Sequence, residues 1–203
     1  MQINIDKKTG ILLSIIAALL ISVVLIASGG MRDSDSDNDD MGMMGVHGHN
    51  SNSQMVGSDA MFLQMMIPHH EQAVVMSDLA LSTSKDAEVL KLAKQIKDAQ
   101  AREIIKMQGW LSDAGLSEDP GHSMGDGMGG MLSDSDLSAL KGSTGKAFDK
   151  LFLAGMIAHH EGAIDMVMMI ENSQDSDVKR LGQDIVKSQT AEIELMKELL
   201  KRK

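Results

Sequence analysis

The sequence predicts an all-α protein: a four-helix bundle made of two duplicated helical hairpins joined by a long crossover, behind an N-terminal apolar segment. Three observations carry that prediction. Shifted by ninety positions, residues 61–76 fall on residues 151–166, and Phe62/Phe152, Leu63/Leu153, Met66/Met156, Ile67/Ile157, His69/His159, His70/His160, Glu71/Glu161, Ala73/Ala163 and Met76/Met166 are identical. Shifted by eighty-nine, Leu92, Ile96, Gln100, Glu103, Ile104 and Met107 fall on Leu181, Ile185, Gln189, Glu192, Ile193 and Met196. Within each block the apolar residues recur every three or four positions, the signature of one helix face.

Composition narrows the chemistry. The chain has 203 residues, enough for one ordinary domain with appendages. Lys and Arg total 19 against 29 Asp and Glu, a formal charge of −10, which repels phosphate backbones and excludes nucleic acid as the expected partner. Cysteine is absent, and with it go disulfides, iron–sulfur clusters, thiolate zinc sites and thiol nucleophiles. Aromatic residues make up 2% of the chain and Tyr is missing, so no stacking surface is expected. The 19 methionines and 7 histidines are instead clustered. Methionine is ordinarily a minor filler of cores.

Residues 1–28 read as a signal anchor or signal peptide. Lys7 and Lys8 precede an apolar run from Ile11 to Ala27, interrupted by Ser14 and Ser22. At ~1.5 Å per residue it spans about 25 Å, near the lower limit for a bilayer. Ile26-Ala27-Ser28-Gly29 makes a poor small-x-small cleavage site, which favours an uncleaved membrane helix with Lys7 and Lys8 inside. Either outcome places the remainder outside the cytoplasm, in the periplasm or on the outer cell surface; cleavage would make it secreted.

Residues 29–58 form an acidic, then Met- and His-rich linker. Asp35-Ser36-Asp37-Asn38-Asp39 suggests a calcium loop, but Asp40 stands at its sixth position and Val46 at its twelfth, so the EF-hand pattern fails. Residues 59–203 carry the bundle, with hairpins at 59–112 and 144–202 and the crossover at 113–143. Pro68 falls inside a helical run whose copy has Ala158, so the spacing predicts one kinked helix, not two. Ser82–Ser84 and Asn172–Asp175 read as cap-like joints, and a short helix is expected near Asp136–Leu140. Two hairpins with one long crossover match the ferritin-like topology. Counting outward from the joints sets both His pairs level with Gln100 and Gln189, about 21 Å from the turns.

Met66, His69 and His70 stand at i, i+3 and i+4 and share a helix face; Met76 lies further along it, and Met156, His159, His160 and Met166 repeat the set. Thioether sulfur is soft and favours Cu(I), whereas imidazole accepts Cu(I) or Cu(II). Methionine forms no disulfide, so Met and His without Cys suit an extracytoplasmic copper site, and Ag(I) could use the same donors. These eight residues are the candidate metal ligands, with Cu(I) favoured and Cu(II) the alternative. Four imidazoles inside a bundle are costly to bury as mere packing. Met168 and Met169 lack copied partners and read as core. Gln100, Glu103, Gln189 and Glu192 are candidates for orienting the imidazole N–H groups; Glu71 and Glu161 either do the same or face solvent. Met41, Met43, Met44, His47 and His49 in the linker, and His122, Met124, Met128 and Met131 in the crossover, sit in glycine-rich stretches that cannot pack a core. They read as flexible capture sites of lower affinity.

Met65-Met66-Ile67-Pro68-His69-His70-Glu71-Gln72-Ala73 and Met156-Ile157-Ala158-His159-His160-Glu161-Gly162-Ala163-Ile164-Asp165-Met166 resemble the paired Met-Ile-Pro-His-His motifs of domain-of-unknown-function family 305. The resemblance covers about Asp59 to Lys203. It implies a bundle of the ferritin-like superfamily, an envelope location and a role in copper binding or resistance. Two departures stand out: Glu71-Gln72 replaces the family's frequent Gln-Gly, and Ala158 replaces the motif proline. The reading that results is a copper-binding protein for sequestration, trafficking or resistance, with a copper-exporting or copper-accepting protein as a candidate partner. The alternatives are a ferritin-like oxidase of Cu(I) or iron and a purely structural bundle. Di-iron bundles use Glu-x-x-His, whereas Met66, Ile67, Met156 and Ile157 precede the four histidines at i−3.

Overall fold

The computed structural model describes residues 57–119 and 128–203. The N-terminal apolar segment and Met41, Met43, Met44, His47, His49, His122 and Met124 lie outside the described residues. Among the described residues, no helix is long and apolar enough to cross a membrane.

Helix α1 runs from Gly57 to Thr83 and α2 from Ala87 to Asp113. Pro68 lies inside α1, which continues through it as one helix. After the crossover come a turn at Met128–Gly130, α3 at Asp134–Gly142, α4 at Gly145–Met166 and α5 at Ser176–Leu200. All regular elements among the described residues are helical. Helix α3, expected near Asp136–Leu140, starts with a capping box in which Ser133 and Asp136 satisfy each other's backbone N–H.

The two hairpin joints share a Ser-x-Asp sequence and a mechanism. Asp86 Oδ1 accepts the N–H groups of Glu88 and Val89 at 2.9 and 3.1 Å, and Asp175 Oδ1 those of Asp177 and Val178 at 2.8 and 3.1 Å. These N-caps satisfy donors that a helix start leaves free. The serine hydroxyls accept from the cap residues' own N–H groups, at 3.1 Å in both copies.

The copies differ where the repeat changes register from ninety to eighty-nine. Helix α1 stays α-helical to Thr83, whereas α4 ends at Met166 and tightens into a 3₁₀ turn at Val167–Ile170. A 3₁₀ turn rises ~2.0 Å per residue against ~1.5 Å. Its four residues therefore cover about the length of five α-helical ones, which absorbs the missing residue.

Helices α1 and α4 form the central seam: each packs on its own hairpin partner and on the other. Phe62, Leu63, Met66, Ile67, Met107 and Leu111 of the first hairpin join Ala163, Met166, Ile170, Val178, Leu181 and Ile185 of the second in one buried cluster. Met169 is packed against it, whereas Met168 is 72% exposed. Packing therefore explains Met169, whereas Met168, also expected in the core, faces solvent. Polar locks close the seam's ends. Ser84 Oγ donates to Asp149 Oδ1 at 2.7 Å, and Ser173 Oγ to Asp59 Oδ2 at 2.8 Å. Each hairpin's joint thus holds the first helix of the other.

Candidate metal centre

The four histidines of the repeat are buried in the bundle, at most 1% exposed. They divide into two kinds. His69 of α1 and His159 of α4 meet across the seam with ring centroids 3.8 Å apart, tilted by 42°. His70 and His160 each turn to the second helix of their own hairpin: His70 Nε2 lies 2.7 Å from Glu103 Oε2, and His160 Nε2 lies 2.6 Å from Glu192 Oε2. A helix advances 100° per residue, so adjacent histidines cannot share one direction. The first of each pair faces the other hairpin and the second faces its own.

Five imidazole nitrogens are buried without a hydrogen-bond partner: Nδ1 of His69, His70 and His160, and both nitrogens of His159. Such groups cost about 1–3 kcal/mol each when nothing pairs them. Burial pushes the His69 imidazolium down to about 4, helped by His70 and His160 and opposed by the Gly129 carbonyl. Burial, with the neighbouring His69, His160 and His70, pushes His159 well below the ordinary range. At neutral pH both rings are neutral and carry a lone pair, the form a metal needs.

Met66, Met76 and Met156 are fully buried and Met166 is 7% exposed. Met66 and Met166 belong to the same cluster across the seam. Elsewhere along the seam, Met76 Cε lies 3.4 Å from where a β-carbon on Gly155, the neighbour of Met156, would stand. Among the described residues no group of three or more His, Asp or Glu side chains is disposed to hold a metal ion.

A strap from the crossover closes the site, and sequence reasoning missed it. The expected flexible stretch includes Met128 and Met131, but Met128–Gly130 is a turn seated on α4, and Met131 is half-buried. Gly129 and Gly130 have φ of 48° and 79°, the left-handed region that glycine reaches without strain. Contact explains the rest: a β-carbon on Gly130 would stand 2.0 Å from the Ala158 carbonyl oxygen, and one on Gly162 would stand 1.4 Å from that of Gly129. The Gly129 carbonyl accepts from His69 Nε2 at 2.8 Å, and the Met166 sulfur lies 3.1 Å from where a Gly129 β-carbon would stand. Gln72, one turn beyond His69, grips Leu132 both ways: its Nε2 donates to the carbonyl at 2.9 Å, and its Oε1 accepts the N–H at 2.7 Å. One signal was present. Gln72 and Gly162 are unlike residues inside the most faithful part of the repeat.

The glutamates and glutamines separate as well. Glu103 and Glu192 bond the rings, whereas both side-chain polar atoms of Gln100 and the Oε1 of Gln189 are buried without partners. The expected orienting role therefore falls to the carboxylates. Glu71 and Glu161 are exposed, and Glu161 stands 3.6 Å from Lys197 Nζ; both face solvent.

A model of the domain-of-unknown-function family DUF305 matches residues 59–200. No curated protein matches the sequence. Solved structures do. CopM in its Cu(II)-bound form is 34% identical, with 71% of this chain and 96% of that one covered and a TM-score of 0.63. CopM has also been solved with Cu(I) and with Ag, at 32% and 31% identity and TM-scores of 0.60 and 0.58, over 71% of this chain and 96% and 95% of those. A family member from Streptomyces coelicolor, predicted to be secreted, is 35% identical over 71% of this chain and 93% of its own, with a TM-score of 0.66. The chain belongs to the DUF305 family.

Proposed function

We propose that this DUF305 protein binds copper outside the cytoplasm, chiefly as Cu(I), and serves in sequestration or trafficking. The observation that carries the reading is the His69–His159 contact at 3.8 Å, whose rings leave three nitrogens buried and unpartnered in a seam whose buried residues include Met66, Met76, Met156 and Met166. Met66, Met76, Met156 and Met166 supply the soft donors, and the four histidines supply nitrogen. Such a set suits Cu(I) or Ag(I) better than zinc or non-haem iron, whose usual protein ligands are imidazole, carboxylate and, for zinc, thiolate. The copper and silver complexes of CopM support the same reading by similarity.

The bundle is proposed to be ferritin-like in topology, tethered to the membrane by residues 11–27, with the linker residues Met41 to His49 capturing copper for it. The test is metal analysis of the protein after loading with Cu(I) against equimolar zinc and iron, repeated with His69, His70, His159 and His160 replaced together. Copper retained by the native protein and lost by the folded variant supports the proposal. Unchanged copper stoichiometry would assign the bundle a packing role. Oxygen consumption beyond stoichiometry would indicate an oxidase.

A further inference from the structure

Three of the four buried imidazoles have one nitrogen aimed at an oxygen that can only accept. His69 Nε2 faces the Gly129 carbonyl at 2.8 Å, His70 Nε2 faces Glu103 at 2.7 Å, and His160 Nε2 faces Glu192 at 2.6 Å. A carbonyl or carboxylate has no proton to give, so each ring must carry its proton on Nε2. The other tautomer would set two lone pairs against each other at these distances and strand a buried N–H at Nδ1. In all three rings Nδ1 is buried and unpartnered. We infer that His69, His70 and His160 present Nδ1, not Nε2, to a soft ion, and that the Gly129 carbonyl, Glu103 and Glu192 are positioning groups that fix this choice. The inference rests on the proposed copper site and names its ligand atoms.

The three acceptors are held in different ways. Glu103 and Glu192 belong to α2 and α5, so each orients the histidine of its own hairpin. The Gly129 carbonyl is carried by the strap, which Gln72 clamps at Leu132. Gln72 is therefore a positioning residue for His69, acting through the backbone. His159 has neither nitrogen engaged and remains free to offer whichever one the ion requires. Fixing the proton on the far nitrogen spares the site a tautomer change on binding and raises ligand basicity, as metal-bound histidines generally show.

The test is long-range ¹H–¹⁵N spectroscopy on the full chain in detergent, labelled at histidine, before and after addition of Ag(I). Without metal, His69, His70 and His160 are expected to show a protonated Nε2 and an unprotonated Nδ1. Silver should shift Nδ1 and leave the Nε2 protons in place. Glu103→Leu with Glu192→Leu should scramble both tautomers and weaken silver binding by about tenfold to a hundredfold, and Glu103→Gln with Glu192→Gln, whose amides can donate as well as accept, should leave both tautomers populated. Gln72→Ala should disturb His69 Nε2 alone. An unprotonated Nε2, rings protonated on both nitrogens at neutral pH, or silver acting on Nε2 would overturn the inference while leaving the copper proposal intact. Silver that moves no histidine resonance, with the tautomers as expected, would defeat the copper proposal and this assignment with it.

Discussion

Ser173 and Asp59 lie 114 positions apart, yet the serine hydroxyl donates to the buried carboxylate at 2.8 Å. Ser84 and Asp149 make the same bond at 2.7 Å, so each joint serine anchors the opposite hairpin. Asp59 keeps its other oxygen buried without a partner, and loss of the serine donor leaves the carboxylate worse placed still. Ser173→Ala is expected to cost about 1–3 kcal/mol in urea unfolding. In a double-mutant cycle Ser173→Ala and Asp59→Ala should couple; strictly additive effects would mean that the bond does not support the fold.

The strap is the tightest backbone approach in the site. Gly162→Ala puts a methyl group where the Gly129 carbonyl now lies, and the strap has to lift. Overpacking of this kind costs about 1–3 kcal/mol. Hydrogen exchange should localise it: the Leu132 amide, now bonded to Gln72, should lose protection while the α1 and α4 amides keep theirs. Unchanged protection at Leu132 would contradict the docking described.

How much of this was legible follows from what repeats. The duplicated spacing fixed two hairpins, the single helix through Pro68 and the paired histidines, because a repeat and a period of 3.6 are local features of sequence. Asp59 and Asp149 obey the ninety-residue shift and stand two residues before the first matched block, whereas Ser84 and Ser173 obey the eighty-nine-residue shift and stand eight before the second, so both halves of each lock fall just outside the matched stretches. The strap was not. Besides the bonds from His69 and Gln72, its close approach depends on absent side chains at Gly129, Gly130 and Gly162, and an absent side chain leaves no periodic signal. Nor could spacing divide His69 and His159 from His70 and His160, since adjacent residues separate only once the neighbouring helices are placed.

Acid should weaken the metal-free protein. The ordinary histidine value of 6.5 falls to about 4 for His69 in the fold, and His159 falls well below it. Below pH 6.5 the unfolded chain therefore binds protons that the folded chain refuses. Stability is complete above 6.5 and is lost as pH falls toward 4. His69 alone contributes a loss on the order of 3 kcal/mol across that window. Urea midpoints at pH 7.5, 6, 5 and 4.5 check the sign; a flat profile would mean that the rings are protonated without penalty.

His159→Leu should separate function from folding. Both ring nitrogens of His159 are buried and unpartnered, so an apolar side chain of similar volume relieves a polar burial cost. The metal-free variant is expected to be more stable than the native protein by about 1–3 kcal/mol, and its Ag(I) affinity should fall at least tenfold. Thermal unfolding and silver titration together check it. A destabilised variant with intact silver binding would identify the ring as packing.

X-ray absorption at the copper edge of the Cu(I)-loaded protein is the most direct test of a sulfur–imidazole centre between the two hairpins. We expect a first coordination shell that mixes sulfur with imidazole nitrogen and loses nitrogen scattering when His69 and His159 are replaced. A shell of nitrogen and oxygen alone, or one unaltered by those replacements, would contradict it.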